Sequence, residues 1–298
     1  MELHGQVIML AAANVVCRFV SALAPMLVFG ASLMLATSGN AQVAQRLNAR
    51  LRPLLRGLAT IALPAALLLL SLEAAFVTDS RAAMHDPATL RQVALFTDYG
   101  HAWMAQGIAS LILCLALWLP GLRSPALLAC LSACVLVGVG INGHATMDEG
   151  LLGLAHLANN VAHILCSAYW IGALLVVLPL LYSWRDEHRD ASPIMMRFST
   201  LGHFAVAGSL LTGVLDTWLI LRGSGLSFHS RYQQWLAAKI AVVLAMTILA
   251  LSNRYYWVPR LASEARALPA LRRQVWYTVA AGSLAVLLVA LFGTLSPG

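Results

Sequence analysis

GHATMDEGLLGLAHLANNVAHILCSAYWIGALLVVLPLLY, residues 143–182, is the stretch that decides the fold. From 154 to 182 it is an almost continuous apolar run, and a helix needs about 20 such residues to cross ~30 Å of hydrocarbon. The first third reads differently. His144, Met147, Asp148 and Glu149 form a short polar segment, and His156, Asn159, Asn160 and His163 interrupt the apolar run itself.

Working outward, runs of similar length recur at about 7–36, 54–78, 99–119, 126–142, 154–182, 197–221, 233–257 and 273–295. The expectation is an all-α polytopic membrane protein, a bundle of eight transmembrane helices in a single domain over 1–298. Of its 298 residues 60% are hydrophobic and 10% charged, where a soluble domain carries about 25% charged residues. MELHGQVIML has neither a positive n-region nor a small-residue cleavage site, so the first span reads as a retained helix and not a signal peptide. Pro53, Pro120, Pro125, Pro193 and Pro259 punctuate the joints on one side.

That side also holds Arg46, Arg50, Arg52, Arg56, Arg123, Arg185, Arg189 and Arg197, then Arg254, Arg260, Arg266, Arg272 and Arg273. The opposite side has Arg81, Arg91, Arg222 and Arg231. Basic residues concentrate in cytoplasmic loops, which predicts both termini on the periplasmic side. The net charge of +7 is thus a signature of orientation in a lipid bilayer, not of nucleic-acid binding. Cys17, Cys114, Cys130, Cys134 and Cys166 all fall inside apolar runs, so no disulfide framework is expected. GxxxxGK[ST], HExxH and CxxC motifs are all absent, and the chain reads as a non-enzyme.

Ionisable residues inside a bilayer are costly and turn toward the bundle interior. Here they are Arg18, Glu73, Asp216 and Lys239, and similar depths for the last three suggest charge pairing across helices in a structural or gating role. His156, Asn159, Asn160 and His163 are spaced 0, 3, 4 and 7, one polar stripe on one helical face. His156 and His163 stand ~10.5 Å apart along the axis at 1.5 Å per residue, so they serve different positions and not neighbouring places on one ion. His101 and Met104 form a second local pair, and His144, Met147 and Glu149 gather in the outer segment. Imidazole with thioether favours copper, Cu(I) in particular. Paired histidines on facing helices also ligate haem b. His163 with His101 or His203 is the pair that reading needs.

GHATMDEG followed by HLANNVAHILCSAYWIGAL resembles the CopD family of bacterial inner-membrane copper-resistance proteins. The resemblance continues through CRFVSALAPMLVFG (17–30), MRFSTLGHFAVAGSLLTGVLDTWLI (196–220) and NRYYWVPRL (253–261). It implies eight helices, copper moving between periplasm and cytoplasm, and a periplasmic CopC-type copper-binding partner. His144, His156 and His163 fall on family histidines, and Arg18 and Lys239 on family basic residues. Ser21 and Asn160 stand where relatives often carry histidine. The expected function is a copper permease, import being the favoured direction. The alternatives are a b-type haem electron carrier and a non-transporting anchor for a periplasmic copper chaperone.

Overall fold

A computed structural model describes residues 2–141, 150–222, 225, 229–261, 263–293 and 295; the side chains of 2–7 and 185–192 lie outside that description. Ten helices carry the chain and no strand occurs among the described residues: α1 Glu2–Ala36, α2 Ala41–Thr78, α3 Pro87–Phe96, α4 Asp98–Trp118, α5 Pro125–Ile141, α6 Gly150–Gly172, α7 Leu174–Tyr182, α8 Trp184–Leu221, α9 Arg231–Ser252 and α10 Ala267–Phe292. The protein is a polytopic all-α membrane protein. Seven segments, counting α6 and α7 as one, are long and apolar enough to cross a bilayer, and the shorter apolar α5 covers the predicted 126–142 span.

The bundle is organised around α1, which packs on α2, α5, α6 and α10. Its crossing with α6 is made by glycine. A Cβ on Gly30 would meet the Ala168 carbonyl and Gly172 Cα, and a Cβ on Gly172 would meet the Met26 carbonyl and Gly30 Cα. Lipid offers no hydrophobic drive for helix association, so close backbone approach through small residues supplies the dispersion contact instead. This contact fixes the polar stripe of α6 beside α1. Beyond it, α8 packs on α6 and α9 on α10.

Two helices run further than their apolar spans. α2 starts at Ala41, well before residue 54, capped by Asn40 Oδ1 accepting from the Val43 amide at 3.2 Å. α8 starts at Trp184, before residue 197. Pro53 and Pro193 therefore lie inside helices and not at joints, contrary to the sequence expectation. Proline deprives the carbonyl four residues back of its donor. For Pro53 that carbonyl belongs to Ala49, in an exposed stretch where a substitute donor has access. Pro125 does open α5, and Pro120 follows the end of α4. After α9, Pro259 cannot continue the ladder, and the chain unwinds through a π turn at Asn253–Trp257 and a 3₁₀ turn at Val258–Arg260.

Between α2 and α4 the chain makes a 3₁₀ turn at Arg81–Met84 and the surface helix α3. Asp86 caps α3, accepting from the Thr89 amide at 3.0 Å, with Pro87 in the first turn. The Thr89 hydroxyl and amide hold the Asp86 carboxyl below the usual carboxylate range.

Candidate functional site

A cavity of about 290 Å³ lies inside the bundle, walled chiefly by α1, α6, α8, α9 and α10. Each wall contributes a stripe at helical spacing. Arg18, Ser21 and Met26 come from α1; His156, Asn160, His163 and Ser167 from α6. Ser209, Gly213, Asp216 and Thr217 come from α8, and Tyr232, Leu236, Lys239 and Met246 from α9. Lipid cannot satisfy these polar groups, so each helix turns them inward.

The α6–α8 wall is a continuous hydrogen-bonded seam. Asn159 Nδ2 donates to Asp216 Oδ1 at 2.5 Å and to the Thr212 carbonyl at 2.9 Å. His156 is 3% exposed, with Nε2 3.8 Å from Asp216 Oδ1. Two turns further along α6, His163 Nδ1 lies 3.0 Å from the Ser209 carbonyl and 3.1 Å from Thr212 Oγ1. A carbonyl accepts only, so Nδ1 carries the proton and the neutral ring keeps its lone pair on Nε2. Gly213 makes room for that ring, since a Cβ there would stand 3.0 Å from His163 Cε1. Ser167 and Ser209 hydroxyls close the seam at 2.7 Å. On the other flank Asn160 Nδ2 donates to the Gly140 carbonyl at 3.0 Å, in the last turn of α5 where helix carbonyls lack an internal partner.

The intramembrane charges sit around this cavity. Lys239 lies within electrostatic reach of both Asp216 and His163. Glu73 lies within reach of Arg18, which faces the cavity while Glu73 stands behind it on α2. Neither pair closes to a direct ion pair among the described residues; each balances charge across a gap. Arg18 also approaches the C-terminal end of α10, its Nη1 3.6 Å from where a Cβ on Gly293 would stand. Cations are favoured at that end of a helix dipole.

Two sequence profiles match the chain. Copper resistance protein D-like, N-terminal domain, matches residues 9–154, and Copper resistance protein D matches residues 192–292. The chain belongs to the CopD family. It is 31% identical over 294 residues to inner membrane protein YebZ of Escherichia coli K12, covering 97% of this chain and 100% of that one. It is 28% identical over 217 residues to Copper resistance protein D of Pseudomonas syringae pv. tomato, covering 67% and 69%. It is 25% identical over 174 residues to copper transport protein CutJ of Bacillus subtilis 168, covering 55% of this chain and 31% of that one. This CopD-family chain is a multi-pass inner membrane protein.

The cavity collects only part of the predicted site. His156, His163, Asn160, Asp216, Lys239 and Arg18 line it, and Asn159 supports it through Asp216. His144, Met147 and Glu149 lie outside the described residues. His101 is elsewhere: exposed at the start of α4, its Nε2 lies 2.9 Å from the Leu95 carbonyl. Met104 does not line the cavity either. Haem b does not fit these residues. His203 is exposed on α8, with Nδ1 at the Ser199 carbonyl and Nε2 3.4 Å from the Tyr255 hydroxyl, so neither His101 nor His203 faces His163 across the cavity.

Two cavity residues that the sequence reading passed over are Met26 and Met246. The signal was present: Met246 follows Lys239 by seven residues, and Met26 follows Arg18 by eight, each on the stripe of its charged partner. Among the described residues no three His, Cys, Asp or Glu side chains come together as a metal-holding group. The donors this CopD-family cavity offers are therefore spread along its walls: imidazole at His156 and His163, carboxylate at Asp216, thioether at Met26 and Met246.

Proposed function

We propose that this protein is a copper permease that carries the ion inward from the periplasmic side through the α1–α6–α8–α9–α10 cavity. The observation that carries the reading is His163, held by the Ser209 carbonyl so that its Nε2 lone pair is available in a cavity that also contains two thioethers. Cu(I) takes imidazole and thioether donors readily. Donors spread along the path hold the ion too loosely to trap it, which suits passage better than storage. His156 with Asp216 forms the outer step and His163 with Met26 and Met246 the inner one. Lys239 and Arg18 act as gating charges, raising the potential when no cargo is present. The relatives named for copper resistance and copper transport support this cargo. A CopC-type periplasmic protein delivers the ion to His144, Met147 and Glu149, with His101 and Met104 as an accessory pair near the periplasmic end.

Whole-cell copper accumulation tests the path with His144, His156 and His163 each changed to Ala. At matched membrane levels, His163→Ala is expected to abolish most uptake and His156→Ala to reduce it. Unchanged accumulation in all three variants overturns the reading.

A further inference from the structure

A second cluster of soft donors lies outside the cavity. Met9 and Leu10 of α1, Leu72 of α2, and Arg81, Met84 and His85 of the 3₁₀ turn line one surface groove at the arginine-poor end of the bundle. Met84 packs against the apolar plug of Cys17, Ala65, Leu69 and Leu72, so its thioether is anchored, whereas Met9 and His85 are exposed. The His85 ring makes no hydrogen bond among the described residues, unlike the rings of His101, His163 and His203.

The backbone that presents these donors is fixed at both ends. Asp79 adopts the left-handed conformation at φ 49 and ends α2. The turn closes through Ala83 N–H to the Ser80 carbonyl at 3.2 Å and His85 N–H to the Ala82 carbonyl at 3.2 Å, and the Asp86 cap follows at once. Met84 and His85 thus sit between two fixed helix ends, facing the α1 residue Met9.

We propose that Met9, Met84 and His85 form a Cu(I) site that captures the ion before it reaches the cavity. The inference rests on copper being the cargo. Two thioethers and one imidazole are neutral, soft donors suited to Cu(I). Arg81 on the same groove opposes a hard divalent ion, which three neutral donors would not compensate. The groove and the cavity lie on opposite sides of one plug: Leu72 lines the groove and Leu69 the cavity.

The test is a Cu(I) titration of the full-length protein in nanodiscs against a chromophoric Cu(I) chelator, with X-ray absorption on the copper-loaded sample. The Met9→Leu/Met84→Leu/His85→Ala variant is expected to lose one Cu(I) equivalent and the absorption signature of sulfur with nitrogen. Leu211→Val, on an exposed face of α8 away from both cavity and groove, is expected to keep both. The near-isosteric Met9→Leu/Met84→Leu pair, which should fold unchanged, is expected to bind the groove ion at least about 100-fold more weakly, since losing one outer-shell support already costs metal sites about 10- to 100-fold and here two direct donors are gone. Wild-type stoichiometry and affinity in the triple variant overturns the groove site alone. A wild-type protein that binds no Cu(I) overturns the groove and the permease together.

Discussion

The two halves of the bundle are built on different principles. About 72% of the most apolar stretch of Gly150–Tyr182 is buried within the protein, against 11% for Arg231–Arg260 and 17% for Pro193–Leu221. α1 and α6 form a packed centre in which glycines bring backbones together. α8 and α9 pack on α6 and α10 respectively and make little contact with each other. They meet near one end, where His203 of α8 faces Tyr255 just beyond α9. The packed half sets the shape, and the loosely joined half brings Asp216 and Lys239 to the cavity. In the proposed permease the packed half supplies a fixed ligand row and the loosely joined half a wall that shifts relative to it.

That division is broken most severely at the centre. Gly172→Ala places a methyl against backbone of α1, which has no rotamer to yield. Overpacking typically costs about 1–3 kcal/mol, and a thermal midpoint lowered by roughly 2–4 °C per kcal/mol is expected from a scan of the purified protein. A midpoint equal to wild type removes the packed centre from the account.

Asp216→Asn comes next. The amide oxygen still accepts from Asn159, but Lys239 loses the nearby carboxylate that balances it. Removing one partner of a buried charge pair is more damaging than removing both. Asp216→Asn/Lys239→Met is therefore expected to recover stability that Asp216→Asn lost, with a coupling of about 0.5–3 kcal/mol in a double-mutant cycle. Additive effects break the pairing. Gly213→Ala is milder still for the fold, because its methyl meets the His163 ring and not backbone. Its expected outcome is near-normal melting with reduced copper accumulation, since the ring must move off the Ser209 carbonyl. Unchanged accumulation would separate His163 orientation from transport.

The α6 stripe was legible because period 3.6 applied to four polar residues within an apolar run leaves one geometric solution. A different rule, that ionisable residues within a bilayer turn to the bundle interior, gave the inward placement of Arg18, Asp216 and Lys239. Partners were not legible. That Asn159 belongs to Asp216, and Asn160 to the Gly140 carbonyl, depends on which helices are neighbours in space. The methionines were hidden for a related reason: ten in an apolar chain carry no polarity contrast, and only their register with Arg18 and Lys239 marks Met26 and Met246. Pro53 was misread because proline strictly disfavours a continuing helix, yet an exposed Ala49 lets the chain tolerate the lost bond.

The smallest effect belongs to the outward faces of the loosely packed half. Phe204, Leu211, Val214 and Trp218 on α8, and Leu244 and Ile248 on α9, are exposed on faces opposite the polar stripes. In a membrane such a face meets acyl chains whose apolarity equals its own, so changing one apolar side chain for another transfers nothing between unlike phases. Leu211→Val and Ile248→Val are accordingly expected to shift stability by no more than about 0.5 kcal/mol and to leave copper accumulation intact. A truncation at Val176, fully buried in α7, has packed neighbours to lose: Val176→Ala opens a void that the centre cannot collapse to fill. Equal melting of all three variants would mean that α8 and α9 are covered by something other than lipid, a second copy or a partner chain, and that the loosely packed half is an interface.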